Sequence, residues 1–424
     1  MAAVQTTALV GLALAALPVG MALLAGLPLF AFALLYVLFE GAGVRLLLPG
    51  ILIYVLFICV PVGLYHAFRK VAGAPSGVFR LPGAIWFGVG TVVALTLGQA
   101  ALLTESGWIF WLFFLMAAAL PPLTALALAA HRLGTVTTWR RVMAGVLSGS
   151  LLSTQLTLLL GVLVSILAYL LVLPLREVVA HLLASKSLED LFYSPALVLL
   201  MVQVAVVAPI VEELTKPLAA FLLAKRLRGP AEAFLVGMAG GVGFAILENM
   251  LYEAAGARVW AHIAALRGMG GVLHPLNAGL VALGWYGVRH GVPGAWGRLL
   301  GLYGLAVGIH ALWNGGLVVL YSGIGVYFFG EGTWQLSIYG VGQPGVVMVF
   351  MVLEALALWR LLFLVTARLR GPEQPELAPL LALHLEQPRR LAVWATGVLV
   401  LLVPLGALYG PLLARYGEHL RPFR

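Results

Sequence analysis

The chain has 424 residues, of which 62% are hydrophobic and only 10% are charged, and its formal net charge is +9. Soluble domains carry about a quarter charged residues, so this composition excludes a soluble protein and predicts a polytopic membrane protein. The basic residues stand in short loops between apolar blocks, which is a topology signal and not a nucleic-acid-binding surface. The single cysteine, Cys59, leaves no means of forming an intrachain disulfide or a thiolate metal cluster.

Apolar blocks long enough to cross a bilayer, which takes about 20 residues in a helix, follow one another along the chain. They lie at roughly 46–68, 84–104, 107–130, 142–174, 194–224, 231–255, 273–288, 299–320, 344–367 and 391–414. The region 8–39 adds one long span broken by Pro18 and Pro28, or two short ones. We therefore predict an all-α polytopic membrane protein with about 10–12 transmembrane helices.

The loops between these blocks alternate in charge, and this alternation orients the chain. Arginine and lysine are concentrated in every second loop, so the positive-inside rule makes those loops cytoplasmic. The longest outer loop, 321–343, is aromatic and glycine-rich, and the mixed segment 176–190 is expected to lie flat at the outer interface. The predicted divisions are N-terminal helices over 1–83, a membrane-embedded core over 84–367, a cytoplasmic linker over 368–390 and a C-terminal helix over 391–424.

Four apolar blocks carry polar side chains near the middle of the bilayer, where one charge costs about 2.5–3.5 kcal/mol on insertion scales. Counted from the cytoplasmic loops at a rise of about 1.5 Å per residue, these groups fall in one layer roughly 18–25 Å deep. Unrelated structural residues would scatter in depth, so the coincidence predicts a single site. The residues are Glu212, Glu213 and Lys216, then Glu248 with Asn249, then His274 with Asn277, and finally His310 with Asn314.

Spacing refines this prediction. Glu212 and Lys216 are four residues apart, as are His310 and Asn314, so each pair lies on one helical face. Pro217 follows Lys216 and is expected to weaken the helix there, which leaves carbonyls available to a polar interior. On a purely structural interpretation, the charges form an intrahelical ion pair, and the histidines and asparagines are hydrogen-bonded packing residues. Close helix packing, without chemistry, is the role predicted for Gly237, Gly240, Gly241 and Gly243.

Carboxylates and imidazoles that converge at mid-depth suit the activation of a water molecule. Either a carboxylate acts alone as a general base, or a divalent metal held by histidine and glutamate lowers the pKa of the water. A catalytic zinc site takes three protein ligands and keeps one open position. Glu248, His274 and His310 would supply those ligands, with Zn²⁺ as the candidate cofactor.

The other polar residues of this layer then receive catalytic roles. Glu212 or Glu213 would be the base, Lys216 would orient the carboxylates, and the remaining amide, Asn314, would stabilise an oxyanion. Other intramembrane hydrolases do not fit the inventory of residues. The only aspartate, Asp190, lies in a loop, and the chain has neither an H-E-x-x-H motif nor a G-x-S-G motif in a span.

The order of these motifs resembles the PrsW family of intramembrane proteases, relatives of the CAAX prenyl proteases and the bacteriocin-processing membrane proteases. The resemblance covers roughly 200–320 and implies cleavage of peptide bonds in or near a membrane, for PrsW itself in a membrane-bound anti-sigma factor. CAAX-type members have arginine where Lys216 stands and histidine where Glu248 stands, so their mechanism cannot be transferred whole. The matching motifs are Glu212-Glu213-Leu214-Thr215-Lys216, Phe244 to Glu248-Asn249, His274 to Gly284 and Gly287, and His310 to Asn314.

Two other functions use the same kinds of residue. A proton-coupled secondary transporter also places carboxylates and histidines at mid-depth, although no inverted repeat is visible in this sequence. A catalytically inactive scaffold would have no use for buried charge, which is only a cost to it. We expect an intramembrane endopeptidase of the bacterial cytoplasmic (inner) membrane, whose partners are membrane-bound protein substrates and the lipid bilayer, without nucleic acid.

Overall fold

A computed structural model of the chain describes residues 49–103, 107–134, 137–172, 201–321, 335–338 and 341–370. Seven helices in these ranges are long and apolar enough to cross a membrane, which confirms the prediction of an all-α polytopic membrane protein. These helices are Pro49–Val71, Ala84–Leu103, Ile109–Leu133, Trp139–Gly161, Pro230–Ala255, Ala295–Leu320 and Gly345–Leu369. The predicted spans at 8–39 and 391–414 and the interfacial segment 176–190 lie outside the described residues. The total helix count and the division into domains therefore stay predictions.

The first part of the described chain forms five helices and two π-helical stretches. The π-helical stretches, Ile53–Cys59 and Ser148–Ser153, run directly into the helices that follow them. Pro121 and Pro122 lie inside the third helix without ending it, and Asn249 donates to the carbonyl of Ala118, which Pro122 cannot reach for lack of an N–H. The helices are α1 (Val60–Val71), α2 (Ala84–Leu103), α3 (Gly107–Leu133), α4 (Trp139–Leu147) and α5 (Thr154–Val172).

The second part holds the segments to which the sequence assigns the site. A third π-helical stretch, Gln203–Val207, precedes α6, and a short antiparallel hairpin precedes the last helix, within the predicted outer loop 321–343. Its strands β1 (Gln335–Ile338) and β2 (Val341–Pro344) are separated by two residues, the commonest hairpin connection. The helices are α6 (Ala208–Thr215), α7 (Leu218–Leu223), α8 (Pro230–Ala255), α9 (Trp260–Met269), α10 (Leu273–Arg289), α11 (Ala295–Tyr321) and α12 (Gly345–Leu369).

The apolar block 194–224 is not one continuous helix in its described part. The chain turns at Lys216 and Pro217, between α6 and α7, where the sequence predicts a weak point. Proline has no N–H to donate and its ring crowds the preceding turn, so the regular ladder of hydrogen bonds cannot continue. The carbonyl of Thr215 accepts a hydrogen bond from the Ser153 hydroxyl at 2.7 Å. The break therefore places Lys216 at the end of a helix, with the polar backbone beside it satisfied by a neighbouring segment.

Helix α8 lies at the centre of the bundle, and most of its residues are buried. Its glycines allow neighbouring backbones to approach: a Cβ on Gly240 would lie 2.3 Å from the carbonyl oxygen of Lys216, and one on Gly241 would lie 2.2 Å from that of His274. A Cβ on either of the other two predicted glycines would lie less than 3.0 Å from a backbone oxygen. The packing role predicted for these glycines is confirmed, and it brings the backbones of Lys216 and His274 against the same helix.

Replacing Gly241 with alanine is expected to destabilise the protein by about 1–3 kcal/mol, because the new methyl group would overlap a backbone oxygen that no rotamer change can move. The matched variant is Gly304→Ala on α11, where nothing lies within 4 Å of the added Cβ. Thermal unfolding in detergent should give a lower midpoint for Gly241→Ala than for Gly304→Ala. Equal midpoints would show that the approach of α8 to α10 is less tight than the structure has it.

Candidate active site

Lys216 is fully buried and lies between groups from two helices. Its Nζ is 2.9 Å from Oε2 of Glu212 and 2.8 Å from Oε1 of Glu213, both on α6. It is also 2.7 Å from Nδ1 of His274, on α10. Because an ammonium group has three N–H donors, these contacts use all of them, while the ring of Phe244 covers the cation at 4.5 Å. The positive charge in the middle of an apolar segment is thus neutralised locally.

His274 is held at both of its ring nitrogens. Nδ1 faces Lys216, which can only donate, so Nδ1 accepts and Nε2 carries the proton. Nε2 lies 2.6 Å from Oε2 of Glu248 on α8, and that carboxylate therefore fixes the tautomer and the orientation of the ring. Arg267, on α9, contacts the same carboxylate oxygen with Nη2 at 2.5 Å, and its Nε donates to Oδ1 of Asn249 at 2.9 Å.

His310, on α11, is also buried and held at both nitrogens. Nδ1 lies 2.8 Å from Oε1 of Glu213, so Nδ1 is the protonated nitrogen of this ring. Nε2 accepts from Nδ2 of Asn314 at 3.0 Å, and the same Nδ2 donates to the carbonyl of Val204 at 3.0 Å. Val204 belongs to the π-helical stretch before α6. Each histidine therefore has a carboxylate on one nitrogen, which leaves the other as the nitrogen that could bind a metal.

The sequence-predicted residues form one connected network, and the rings of His274 and His310 lie 5.1 Å apart, centre to centre. Asn277 is not part of it: it donates to the carbonyl of Ala306 at 3.1 Å and joins α10 to α11, the packing role that the sequence allowed. The residues of the network, called the polar cluster below, are Glu212, Glu213, Lys216, Glu248, Arg267, His274, His310 and Asn314.

Three members of the polar cluster could hold a metal ion. One ligand atom each from Glu212, His274 and His310 lie within 4.8 Å of one another. Glu212 thus stands where the sequence-based set has Glu248, whose carboxylate oxygen already faces Arg267 and His274. Oε2 of Glu212 is buried and has no well-formed hydrogen bond among the described residues, although Nζ of the neighbouring lysine lies 2.9 Å away. Two imidazoles and a carboxylate with a free oxygen fit a divalent metal, and this donor set is one that zinc uses.

Arg267 is the functional candidate that sequence reasoning missed. It lies outside the apolar blocks, in the segment between α8 and α10, so counting charges within spans does not find it. A signal was present: this segment faces the side that the positive-inside rule keeps poor in basic residues, yet it carries Arg258 and Arg267. An arginine on that side needs a local reason, and for Arg267 the reason is the carboxylate of Glu248.

Comparison with known proteins identifies one family. A family model described as PrsW family intramembrane metalloprotease matches residues 149–353, slightly under half of the chain. The match begins in the π-helical stretch after α4, ends in α12 and contains every residue of the polar cluster. No curated protein and no solved structure matches the chain.

Proposed function

We propose, since residues 149–353 of this chain belong to the PrsW family of intramembrane metalloproteases, that the polar cluster activates the water molecule that hydrolyses a peptide bond of the substrate. The chain is a membrane-embedded peptidase. Its substrates are membrane-bound proteins, and an anti-sigma factor is the candidate that the family resemblance suggests. The protein acts as a multi-pass component of the bacterial cytoplasmic membrane.

One observation carries this proposal. Carboxylates from α6 and α8 and imidazoles from α10 and α11 meet within hydrogen-bonding distance in the interior of an apolar bundle. Ionisable groups inside a membrane protein are costly and are usually kept for function. Four separate segments that each carry such a group to one point are more than packing requires, and water activation uses these group types.

Glu212, His274 and His310 are the residues that would hold the metal. When bound, a divalent metal supplies a Lewis acid that lowers the pKa of its water. The protein contributes the orientation of the ligands: Glu248 fixes His274 and Glu213 fixes His310, each through the ring nitrogen that faces away from the ligand set. Zinc is the metal that we propose for this donor set.

Glu213 is the residue that we propose as general base. Its Oε1 accepts from Lys216 and His310, whereas its Oε2 is buried and has no hydrogen-bond partner among the described residues. This free oxygen would take a proton from the water as the water oxygen adds to the peptide carbonyl carbon. The same carboxyl group would then give the proton to the amide nitrogen as the C–N bond breaks. Lys216 and His310 keep the carboxylate in place during both transfers.

A proton-coupled transporter with a mid-membrane Glu/His relay is not favoured. The family match points to proteolysis, and the family does not consist of carriers. Both imidazoles are also held between two partners in a fixed network, as a hydrolytic site requires for its ligands.

Purified protein in liposomes, together with a single-span membrane protein, tests the proposed function. The wild type should cleave the substrate, a zinc chelator should stop cleavage, and added Zn²⁺ should restore it. His310→Ala should lose at least about 100-fold of the cleavage rate, because it removes both a ligand and the partner of Glu213. His131→Ala changes an exposed histidine outside the matched region and should keep the wild-type rate. Cleavage by His310→Ala at the wild-type rate would rule out the polar cluster as the active site.

A further inference from the structure

We infer that Arg267 is a catalytic residue of this peptidase: a hydrogen-bond donor of its guanidinium, Nη1, binds the carbonyl oxygen of the scissile peptide bond while that oxygen gains negative charge. The inference rests on the proposed function, because it assigns a role in the same hydrolysis. Sequence reasoning gave this role to Asn314. The hydrogen bonds of the polar cluster point to Arg267 instead.

The other donors near the cluster are already in use. Lys216 directs its three N–H groups to Glu212, Glu213 and His274. Asn314 has two N–H groups, and both are committed, since Nδ2 donates to a backbone carbonyl and to a histidine nitrogen. An oxyanion would have to displace one of these bonds to be bound there.

The ring N–H groups of the two histidines are committed as well. Nε2 of His274 faces Glu248, and Nδ1 of His310 faces Glu213. Each of these N–H groups is held by a carboxylate, which is a stronger partner than a neutral carbonyl oxygen. The histidines therefore act as ligands and not as donors to the substrate.

Arg267 has a donor left over and a fixed orientation. Its Nη2 contacts Glu248 at 2.5 Å and its Nε contacts Asn249 at 2.9 Å, while Cζ lies 4.5 Å from the ring of Tyr252. Three contacts on one planar group hold it rigidly. Among the described residues, Nη1 has no hydrogen-bond partner. The side chain is 15% exposed, whereas Lys216 is fully buried, so Nη1 belongs to the one cation of the cluster that an incoming group can reach.

The position of Arg267 relates this free donor to the reacting groups. Nη2 lies 3.4 Å from Nε2 of His274, so the guanidinium stands at the edge of the candidate ligand set. A fixed cation in a low-dielectric site stabilises charge that develops in the transition state without having to reorganise. Arginine also keeps its protons throughout, so it contributes only hydrogen bonding and charge.

The step balances in atoms and electrons. As the water oxygen forms its bond to the carbonyl carbon, a water proton passes to Glu213 and the carbonyl π electrons move onto the carbonyl oxygen. That oxygen, now negative, accepts the hydrogen bond from Nη1 of Arg267. When the C=O bond re-forms, the C–N bond breaks and the proton on Glu213 goes to the departing amine.

Replacing Arg267 with alanine should lower kcat by about 10²–10³-fold while KM changes less than about threefold, which is the pattern for a lost transition-state interaction. The metal content should equal that of the wild type. Guanidinium ion added to Arg267→Ala should restore part of kcat, a response that a merely structural role would not give. Arg267→Lys keeps the charge but lacks the planar fork, and it should recover less than about a tenth of the wild-type kcat.

Arg141 provides the matched arginine. It makes a 2.5 Å ion pair with Glu232 near the end of the bundle predicted to be cytoplasmic, away from the polar cluster. Arg141→Ala should keep kcat within about threefold of the wild type and should not respond to guanidinium. This variant accounts for any general effect of removing a partly buried arginine from an ion pair.

Several outcomes would overturn the inference. They are a wild-type kcat in Arg267→Ala, loss of its metal, or loss of activity without any response to guanidinium. If Arg267→Ala does not fold, a folded Arg267→Lys with the wild-type kcat would overturn it equally. The proposed function fails separately, if the wild type does not cleave or if Glu213→Gln cleaves as well as the wild type. An active wild type, an inactive Glu213→Gln and an active Arg267→Ala would refute only the role of Arg267.

Discussion

Replacing Glu213 with glutamine will lower kcat for peptide hydrolysis by about 10²–10⁴-fold, while the protein keeps its metal. Glutamine has nearly the same shape, and its amide oxygen can still accept from Lys216 and His310, so the ligand set should stay in place. The amide cannot take a proton from water, and this is the function assigned to the free Oε2 of Glu213. Cleavage assays paired with elemental analysis of the same preparations measure both quantities.

Glu212→Gln is the adjacent comparison and should behave differently. This change alters a candidate ligand, so it should weaken metal affinity, by at least about 10–100-fold, and excess metal should restore much of the activity. Excess metal should have no such effect on Glu213→Gln. If metal restored Glu213→Gln and not Glu212→Gln, the two glutamates would have exchanged roles.

Replacing Lys216 with methionine will destabilise the metal-free protein by about 3–5 kcal/mol, which is the usual cost of removing one partner from a buried ion pair. Methionine fills a similar volume, so the loss is chiefly electrostatic. Glu212 and Glu213 would be left as two neighbouring carboxylates in an apolar interior with their cation gone. Unfolding followed in detergent, after treatment with a chelator, should show a clearly lower midpoint than that of the wild type.

A second variant isolates the electrostatic part of this effect. In Lys216→Met with Glu213→Gln, one of the two carboxylates is neutral, so the double variant should be more stable than Lys216→Met alone. Added Zn²⁺ should raise the midpoint of Lys216→Met more than that of the wild type, because the metal would supply the missing positive charge. A midpoint for Lys216→Met equal to that of the wild type would mean that the lysine does not neutralise the glutamates.

The sequence predicted the convergence of the site but not its internal connections. Helical rise and loop positions suffice to put Glu212, Glu248, His274 and His310 at a common depth, and the structure brings them together. Depth does not say which of two neighbouring groups a side chain faces. Glu248 was therefore assigned to the metal, whereas in the structure it lies between Arg267 and His274.

The π-helical stretches also escaped the sequence analysis. A single widened turn hardly changes the 3.6-residue period, so hydropathy cannot report it. Two of these stretches nevertheless contribute to the site, since Ser153 bonds to the carbonyl of Thr215 and the carbonyl of Val204 accepts from Asn314. In contrast, the break at Pro217 was predictable, because proline acts on the backbone through local geometry alone.

The sequence separation within the two sets of ion pairs bears on how the chain enters the bilayer during synthesis. Lys216 lies three and four residues from its glutamates, so α6 can be handed to the lipid with most of its charge already compensated within one helix. Glu248 must wait for Arg267, 19 residues further along, which emerges from the ribosome only after α8 is complete. Until α9 folds back, α8 carries an uncompensated carboxylate, and this makes it the segment most in need of a chaperone or the insertion machinery.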